Sequence, residues 1–123
     1  MSMQEPVRQS LQDGEFYAGL IIGKNGAPDH HLVLLPGAAT NVSWSMARDW
    51  ASRNGGELPT RRELALLYAN LKELFQREWY WSCEASETRV QFVWGQNWAS
   101  GIQTMNGRQY LAHARAVRRV PAD

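Results

Sequence analysis

The strongest pattern of apolar and polar positions lies between residues 56 and 75. Pro59 and Thr60 lead into it, and Glu63 stands three residues after Thr60, so the segment carries a capping box at a helix start. Five apolar side chains then recur at helical spacing: Leu64, Leu67, Tyr68, Leu71 and Leu74. The pattern predicts an amphipathic helix with one buried stripe. Four charged residues off that stripe are expected to face solvent: Arg61, Arg62, Lys72 and Glu73.

A second helix is predicted over residues 44–53, with Ser43 as its N-cap and Asn54-Gly55-Gly56 at its end. Four apolar residues share one of its faces: Trp44, Ala47, Trp50 and Ala51. Upstream, apolar and small residues alternate over 15–23, and a shorter apolar run covers 31–35. Because Asn25-Gly26 lies between those two runs, we expect them to pair as a β-hairpin.

Short strands are predicted in the last third of the chain, over residues 79–83, 90–94 and 112–120. Glycines at 95, 101 and 107, with Ser, Gln and Asn around them, predict loops between the later strands. Two helices with antiparallel strands indicate an α+β domain. Residues 1–13 are polar and are expected to form a flexible lead-in, which leaves residues 14–120 as a single domain.

Charge and composition limit the classes of partner and the cellular locations that we expect. The 13 basic and 12 acidic residues give a net charge of +1, so nucleic acid is not an expected partner. The basic run Arg115–Arg119 fits a strand whose arginines pair with acids or face solvent. No segment is long and apolar enough for membrane insertion. The N-terminus lacks the apolar run of a secretion signal and Cys83 is the single cysteine, so we expect a cytoplasmic or virion-associated protein.

Candidate catalytic and metal-binding residues are sparse. His30 and His31 are adjacent on a predicted strand, so their side chains should point to opposite faces rather than to one metal ion, and His113 is distant in the chain. Cys83 has no histidine placed beside it as a base, and a half-buried strand position is expected for it. Residues 90–109 contain no Asp or Glu, which disfavours calcium. We therefore expect no enzyme activity, no metal and no cofactor.

The segment 94–110 has the composition of a recognition surface. Its aromatic residues offer large contact areas, and its amides offer adaptable hydrogen bonds. The candidate ligand-binding residues are Trp94, Asn97, Trp98, Gln103, Asn106 and Tyr110. The alternative is a loop region whose tryptophans fill the core. Of the six tryptophans in the chain, we expect about four to be structural and the others to line a surface site.

Three segments in this order resemble the Lcl C-terminal-domain family, a large group of bacterial and phage domains of unknown function. They are residues 56–63, 79–84 and 115–119. The family has the C-type-lectin-like fold, shared with formylglycine-generating enzymes and with the variable proteins of diversity-generating retroelements. The resemblance implies two helices packed on a small twisted antiparallel sheet with adjacent N- and C-terminal strands. It also implies a long loop-rich excursion that displays ligand-binding residues, and residues 94–110 are its counterpart here.

The chain departs from the enzymatic branches of that fold, because the formylglycine-generating branch relies on a cysteine pair and the iron-dependent branch on a histidine cluster. The resemblance therefore implies a non-enzymatic binding module, phage- or prophage-associated, that recognises a protein or glycan through the 94–110 surface. A small intracellular phage-encoded antagonist of a host defence protein is the alternative, and an enzyme of the formylglycine-generating type is a third hypothesis. The abundance of tryptophan leaves a homo-oligomer open.

Overall fold

Three helices and two β-sheets make up residues 5–122, the part of the chain that this computed structural model describes, with the side chain of Glu5 excepted. The α+β class is therefore confirmed. The helices are α1 (Glu5–Gln9), α2 (Trp44–Arg53) and α3 (Arg61–Leu71), and α3 runs into a 3₁₀ turn at Lys72–Leu74. The strands are β1 (Phe16–Ile21), β2 (His30–Leu34), β3 (Ala39–Val42), β4 (Trp79–Ala85), β5 (Phe92–Asn97), β6 (Gln103–Gly107), β7 (Ala112–Ala114) and β8 (Val117–Pro121).

The smaller sheet has the strand order β1-β2-β8 and is antiparallel throughout. The larger sheet has the order β3-β7-β4-β5-β6, in which β4 and β7 are a parallel pair and the other neighbours are antiparallel. The prediction that the N- and C-terminal strands are adjacent is wrong, because β2 lies between β1 and β8. A single small sheet under two helices is also too simple a description, and the finer C-type-lectin-like assignment stays a prediction.

The two longer helices lie where the sequence predicted them. Helix α2 has the predicted bounds, and Ser43 has the extended backbone of an N-cap, although its side chain makes no capping hydrogen bond. Helix α3 begins with the predicted capping box, in which the Thr60 hydroxyl accepts from the Glu63 N–H and the Glu63 carboxylate accepts from the Thr60 N–H. The N-terminal lead-in was predicted to be flexible, but Glu5–Gln9 is helical and Val7 is buried. The first four residues of that lead-in lie outside the described part.

The predicted strand over residues 112–120 is two strands in different sheets. Arg115 lies between β7 and β8, and its guanidinium is buried rather than facing solvent or an acid. It donates to the carbonyl oxygens of Leu74 at 2.7 Å and Leu35 at 3.2 Å. Burial lowers the pKa of the Arg115 guanidinium. These two long-range hydrogen bonds hold the chain at the point where it passes from one sheet to the other.

Residues 94–110 form a regular hairpin rather than a loop-rich excursion. Strands β5 and β6 pair in register from Phe92 opposite Gly107 to Gln96 opposite Gln103. Gly95 lies inside β5 because the Trp79 ring packs against it, and a Cβ at that position would overlap the ring. Gly101 turns the chain with a φ of 80°, which favours glycine.

Two clusters of buried side chains form the core. One joins α2 to the large sheet and contains Trp44, Trp79 and Trp81. The other lies where α3 meets both sheets and contains Leu64, Leu67 and Trp98, among others. The prediction that about four tryptophans are structural is confirmed, since four of the six are buried and the other two, Trp50 and Trp94, are half-buried. No helix in the described residues is long and apolar enough to cross a membrane.

Candidate functional site

The six candidate ligand-binding residues do not share one surface. The β5–β6 register and the alternation of side chains along strands place Trp94 and Gln103 on the face that meets α3. Asn106 and Tyr110 lie on the opposite face, where Tyr110 packs edge-on against Trp79. Asn97 is at the end of β5, and its side-chain oxygen accepts from the Ala99 N–H at 2.8 Å within the turn. The predicted surface is therefore divided by the sheet itself.

Trp98 is in the core, so its prediction as a ligand contact is wrong. Its side chain is 1% exposed and stacks on Phe75 with ring centroids 4.1 Å apart. Tyr80 and Tyr68 each pack edge-on against it at 5.3 Å. The indole N–H donates to the Lys72 carbonyl at 3.2 Å. Because β5 ends at Asn97, the chain turns there and directs the next side chain toward α3 instead of solvent.

A cleft of about 760 Å³ lies between the first turns of α3 and the β5–β6 hairpin. Cavities of this size are in the range that holds small ligands or a few residues of a larger one. The side chains that line it include Thr60, Arg61, Ala65, Tyr68, Glu84, Gln96 and Gln103. Arg62 and His30 also line it, so its walls combine amides, one carboxylate, two guanidinium groups and an imidazole with apolar surface.

Arg61 and Gln103 are joined by two reciprocal hydrogen bonds across this cleft. The Arg61 Nε–H donates to Gln103 Oε1 at 3.0 Å, and Gln103 Nε2 donates back to the Arg61 carbonyl at 2.7 Å. Gln103 Nε2 also donates to Gln96 Oε1 at 2.8 Å, and Gln96 is buried. The Arg61 backbone N–H donates to Glu84 Oε2 at 2.7 Å. The network fixes the helix start to both β4 and the hairpin.

The Arg61 guanidinium lies over the Trp94 ring, with its carbon 3.6 Å from the ring centroid. Such stacking is a cation–π contact, and it leaves the N–H groups at the rim of the guanidinium accessible. The expectation that Arg61 simply faces solvent is wrong, because its side chain is half-buried against the hairpin. Trp94, which is half-buried, is thereby held from above by a residue of α3. No local signal indicates this contact, since 33 positions separate the two residues in the chain.

Glu63 is the centre of a buried ion cluster beside the cleft. Its Oε1 accepts from the Thr60 N–H and Arg119 Nη2, each at 2.8 Å, and its Oε2 accepts from Arg119 Nε at 2.7 Å. His30 Nε2 lies 2.6 Å from the same Oε2, and Arg119 also pairs with Glu57. Burial by itself would raise the pKa of Glu63, but the hydrogen bonds from Arg119, Thr60 and His30 outweigh it and hold that pKa below its ordinary value. The Arg119 pKa is raised by its hydrogen bonds to Glu63.

The three segments behind the family resemblance meet at this cluster. The first supplies Thr60 and Glu63, and the third supplies Arg119. The second joins it through the Cys83 N–H, which donates to the Pro59 carbonyl at 2.8 Å. The motif residues therefore fix the start of α3 against β4 and β8, which is a structural task.

Cys83 is exposed on β4, whereas a half-buried position was expected. The protein atoms packed around the thiol nevertheless raise its pKa by desolvation, which disfavours the reactive thiolate. Cys83 lines a separate cavity beside α2 together with Trp44 and Glu57.

The histidines and the terminal arginines have individual partners. His31 is buried and lies 2.8 Å from the Tyr17 hydroxyl, on the face of β2 opposite to His30 as predicted. His113 pairs with the Gln76 amide oxygen at 3.1 Å. In the part of the chain that is described, no three His, Cys, Asp or Glu side chains form a group suited to a metal ion. Arg118 forms a two-pronged pair with Glu15, so the expected pairing of the basic strand with acids is confirmed for Arg118 and Arg119.

Comparison with known protein families and with characterised proteins gives no match to this chain. The resemblance to the Lcl C-terminal-domain family therefore stays a prediction.

Proposed function

We propose that this chain is a non-enzymatic binding module that takes a protein or glycan ligand in the cleft between α3 and the β5–β6 hairpin. The observation that carries the proposal is that Arg61 and Gln103 line one cleft together and that the Trp94 ring supports the Arg61 guanidinium there. Trp94 and Gln103 of the hairpin were predicted from the sequence as ligand contacts, and Arg61 belongs to α3. By the resemblance, we place the module among phage- or prophage-associated proteins.

The state of the cleft side chains supports binding over catalysis. Glu84 accepts a hydrogen bond from a backbone N–H, Gln103 is fixed by three hydrogen bonds, and His30 contacts Glu63, so the fold's own contacts hold these groups in place. A rigid network of this kind presents contact groups at fixed positions and lowers the entropy cost of binding. Cys83, the one cysteine, lines a different cavity.

The experiment compares two single variants of matched chemistry on opposite faces of the hairpin. Trp94→Leu removes the ring that supports the Arg61 guanidinium at the cleft, and Tyr110→Leu removes a half-exposed ring on the other face. Wild type and both variants are screened against a glycan array and a displayed peptide library, and thermal unfolding is measured in parallel. We expect Trp94→Leu to weaken capture by at least about tenfold while Tyr110→Leu binds like wild type. Loss of capture in Tyr110→Leu alone would place the site on the other face.

A further inference from the structure

Arg61 differs from Arg118 and Arg119 in that no carboxylate pairs with its guanidinium among the described residues. Arg118 is paired with Glu15, and Arg119 is paired with Glu63 and Glu57. Arg61 uses its Nε–H for Gln103 and its backbone N–H for Glu84. Within residues 5–122, neither of its terminal nitrogens takes part in a hydrogen bond or an ion pair. These two terminal nitrogens are called the Arg61 fork below. Their N–H groups are available to a ligand in the cleft, although the side chain is half-buried.

The fork is held in place before any ligand arrives. Gln103 fixes the Nε edge of the Arg61 guanidinium, and the Trp94 ring fixes its plane. An arginine side chain otherwise loses much rotamer entropy when it is immobilised. Because that ordering is already present, a ligand that binds the fork gains more of the interaction free energy.

The charge around the fork favours an anion. Arg62 lines the same cleft and has no ion-pair partner among the described residues. Glu84 is the one acid in the lining, and its carboxylate is bound to the backbone N–H of Arg61 without forming an ion pair with the guanidinium. The positive charge of Arg61 is therefore not neutralised within the cleft by the residues that the structure describes.

The Gln103 amide argues against a sugar as the occupant, because its hydrogen-bonding groups are already used. Gln103 Nε2 gives its two hydrogens to the Arg61 carbonyl and to Gln96 Oε1, and Gln103 Oε1 already accepts from Arg61. A sugar would need such groups for its hydroxyls. A peptide needs apolar surface beside the fork, and Ile21, Ala65 and Tyr68 supply it in the cleft wall.

We propose that the ligand is a segment of a partner protein that presents a carboxylate to the Arg61 fork. This inference rests on the proposed function of the cleft and names its ligand. The carboxylate belongs either to an Asp or Glu side chain or to a chain terminus, and both offer the planar pair of oxygens that a guanidinium binds through two hydrogen bonds.

The test begins with a library of random peptides displayed on phage and selected on the full chain. We expect the selected peptides to be rich in Asp and Glu. For a synthetic selected peptide, changing the acid to its amide should weaken binding about 10- to 100-fold, and Arg61→Gln should weaken it similarly. The two changes together should weaken it no further than either alone. Arg61→Lys keeps the charge without the fork, so its affinity should fall between wild type and Arg61→Gln.

Three controls make the outcome decisive. Arg53→Gln changes an exposed arginine of α2 that lies outside the cleft lining, so it should keep the full affinity. Glu84→Gln should raise the affinity a few-fold because one negative charge leaves the cleft. C-terminal amidation of the peptide separates a terminal carboxylate from a side-chain one. Thermal unfolding of Arg61→Gln checks that the fold is intact.

Selected peptides without acid dependence, or equal binding by Arg61→Gln, would overturn the carboxylate inference and leave the binding cleft standing. Binding of neutral glycans alone on an array would do the same. Capture that survives Trp94→Leu would instead remove the cleft itself as the site.

Discussion

Replacing Trp98 with Ala should destabilise the fold strongly, because this ring joins α3 to the large sheet. It is 1% exposed, stacks on Phe75 and packs against Tyr68 and Tyr80. Truncating a buried Trp costs about 3–5 kcal/mol through lost burial and the cavity left behind. Three aromatic neighbours, each contributing about 0.5–1.5 kcal/mol beyond burial, place this site toward the upper end of that range. The loss is a large fraction of a typical unfolding free energy of about 5–15 kcal/mol.

Equilibrium unfolding in urea, followed by far-UV circular dichroism, measures this difference directly as a shift in midpoint at constant slope. Trp98→Phe is the matched control, because it keeps an aromatic ring in the stack and removes the indole N–H that donates to the Lys72 carbonyl. We expect that variant to lose about 1–2 kcal/mol, from the lost hydrogen bond and the smaller ring. If Trp98→Ala lost less than about 1 kcal/mol, the placement of this indole in the core would be refuted.

Three further outcomes follow from the ion cluster and the hairpin. Arg119→Met should cost about 3–5 kcal/mol in urea unfolding, because it removes the guanidinium from a buried carboxylate that only His30 and the Thr60 N–H then contact, and a loss under about 1 kcal/mol would contradict this. The pKa values of Glu63 and Glu15 in the folded protein lie below the ordinary 4.5. The stability that these two carboxylates contribute should therefore be fully present above pH 4.5 and be lost as the pH drops through their folded pKa values. Glu15→Gln should flatten that slope, and an unchanged slope would exclude Glu15 as a contributor. Gly95→Ala should cost at least about 1–3 kcal/mol, since its methyl would overlap the Trp79 ring, and wild-type stability would show that the ring moves freely.

The helices could be predicted because their signals are local. A capping box and an apolar stripe occur within a few residues of each other, and both were read correctly for α3. Strands β3 and β6 were missed, and the topology explains why, since they are the two edges of the large sheet. Edge strands are covered on fewer sides, so their side chains carry little alternation of apolar and polar residues. Residues 103–107 show this, because none of the five is fully buried.

The candidate site was predicted in part, since Trp94 and Gln103 do line or adjoin the cleft. The other four were misplaced. Asn106 and Tyr110 lie across the sheet, because strand register decides which face a side chain takes, and Asn97 and Trp98 lie where the chain turns at the end of β5. Glycine at 95, 101 and 107 suggested loops where a register exists. Arg61 was missed because its partner on β5 is brought near only by the fold. Composition could identify a polar aromatic segment, but it could not determine which side of the sheet each residue faces.

Arg61 belongs to both the structural and the binding arrangement, through different atoms. Its backbone N–H helps to anchor the start of α3 on Glu84, next to the cluster around Glu63, whereas its side chain reaches over the hairpin into the cleft. A substitution at position 61 by any residue except proline keeps the backbone N–H that donates to Glu84. Ligand preference can therefore change at this position at little cost to the fold, whereas a change at Glu63 alters the fold first. Segments that specify the scaffold are thus poor guides to the ligand, and the side chains at 61, 94 and 103 are better ones.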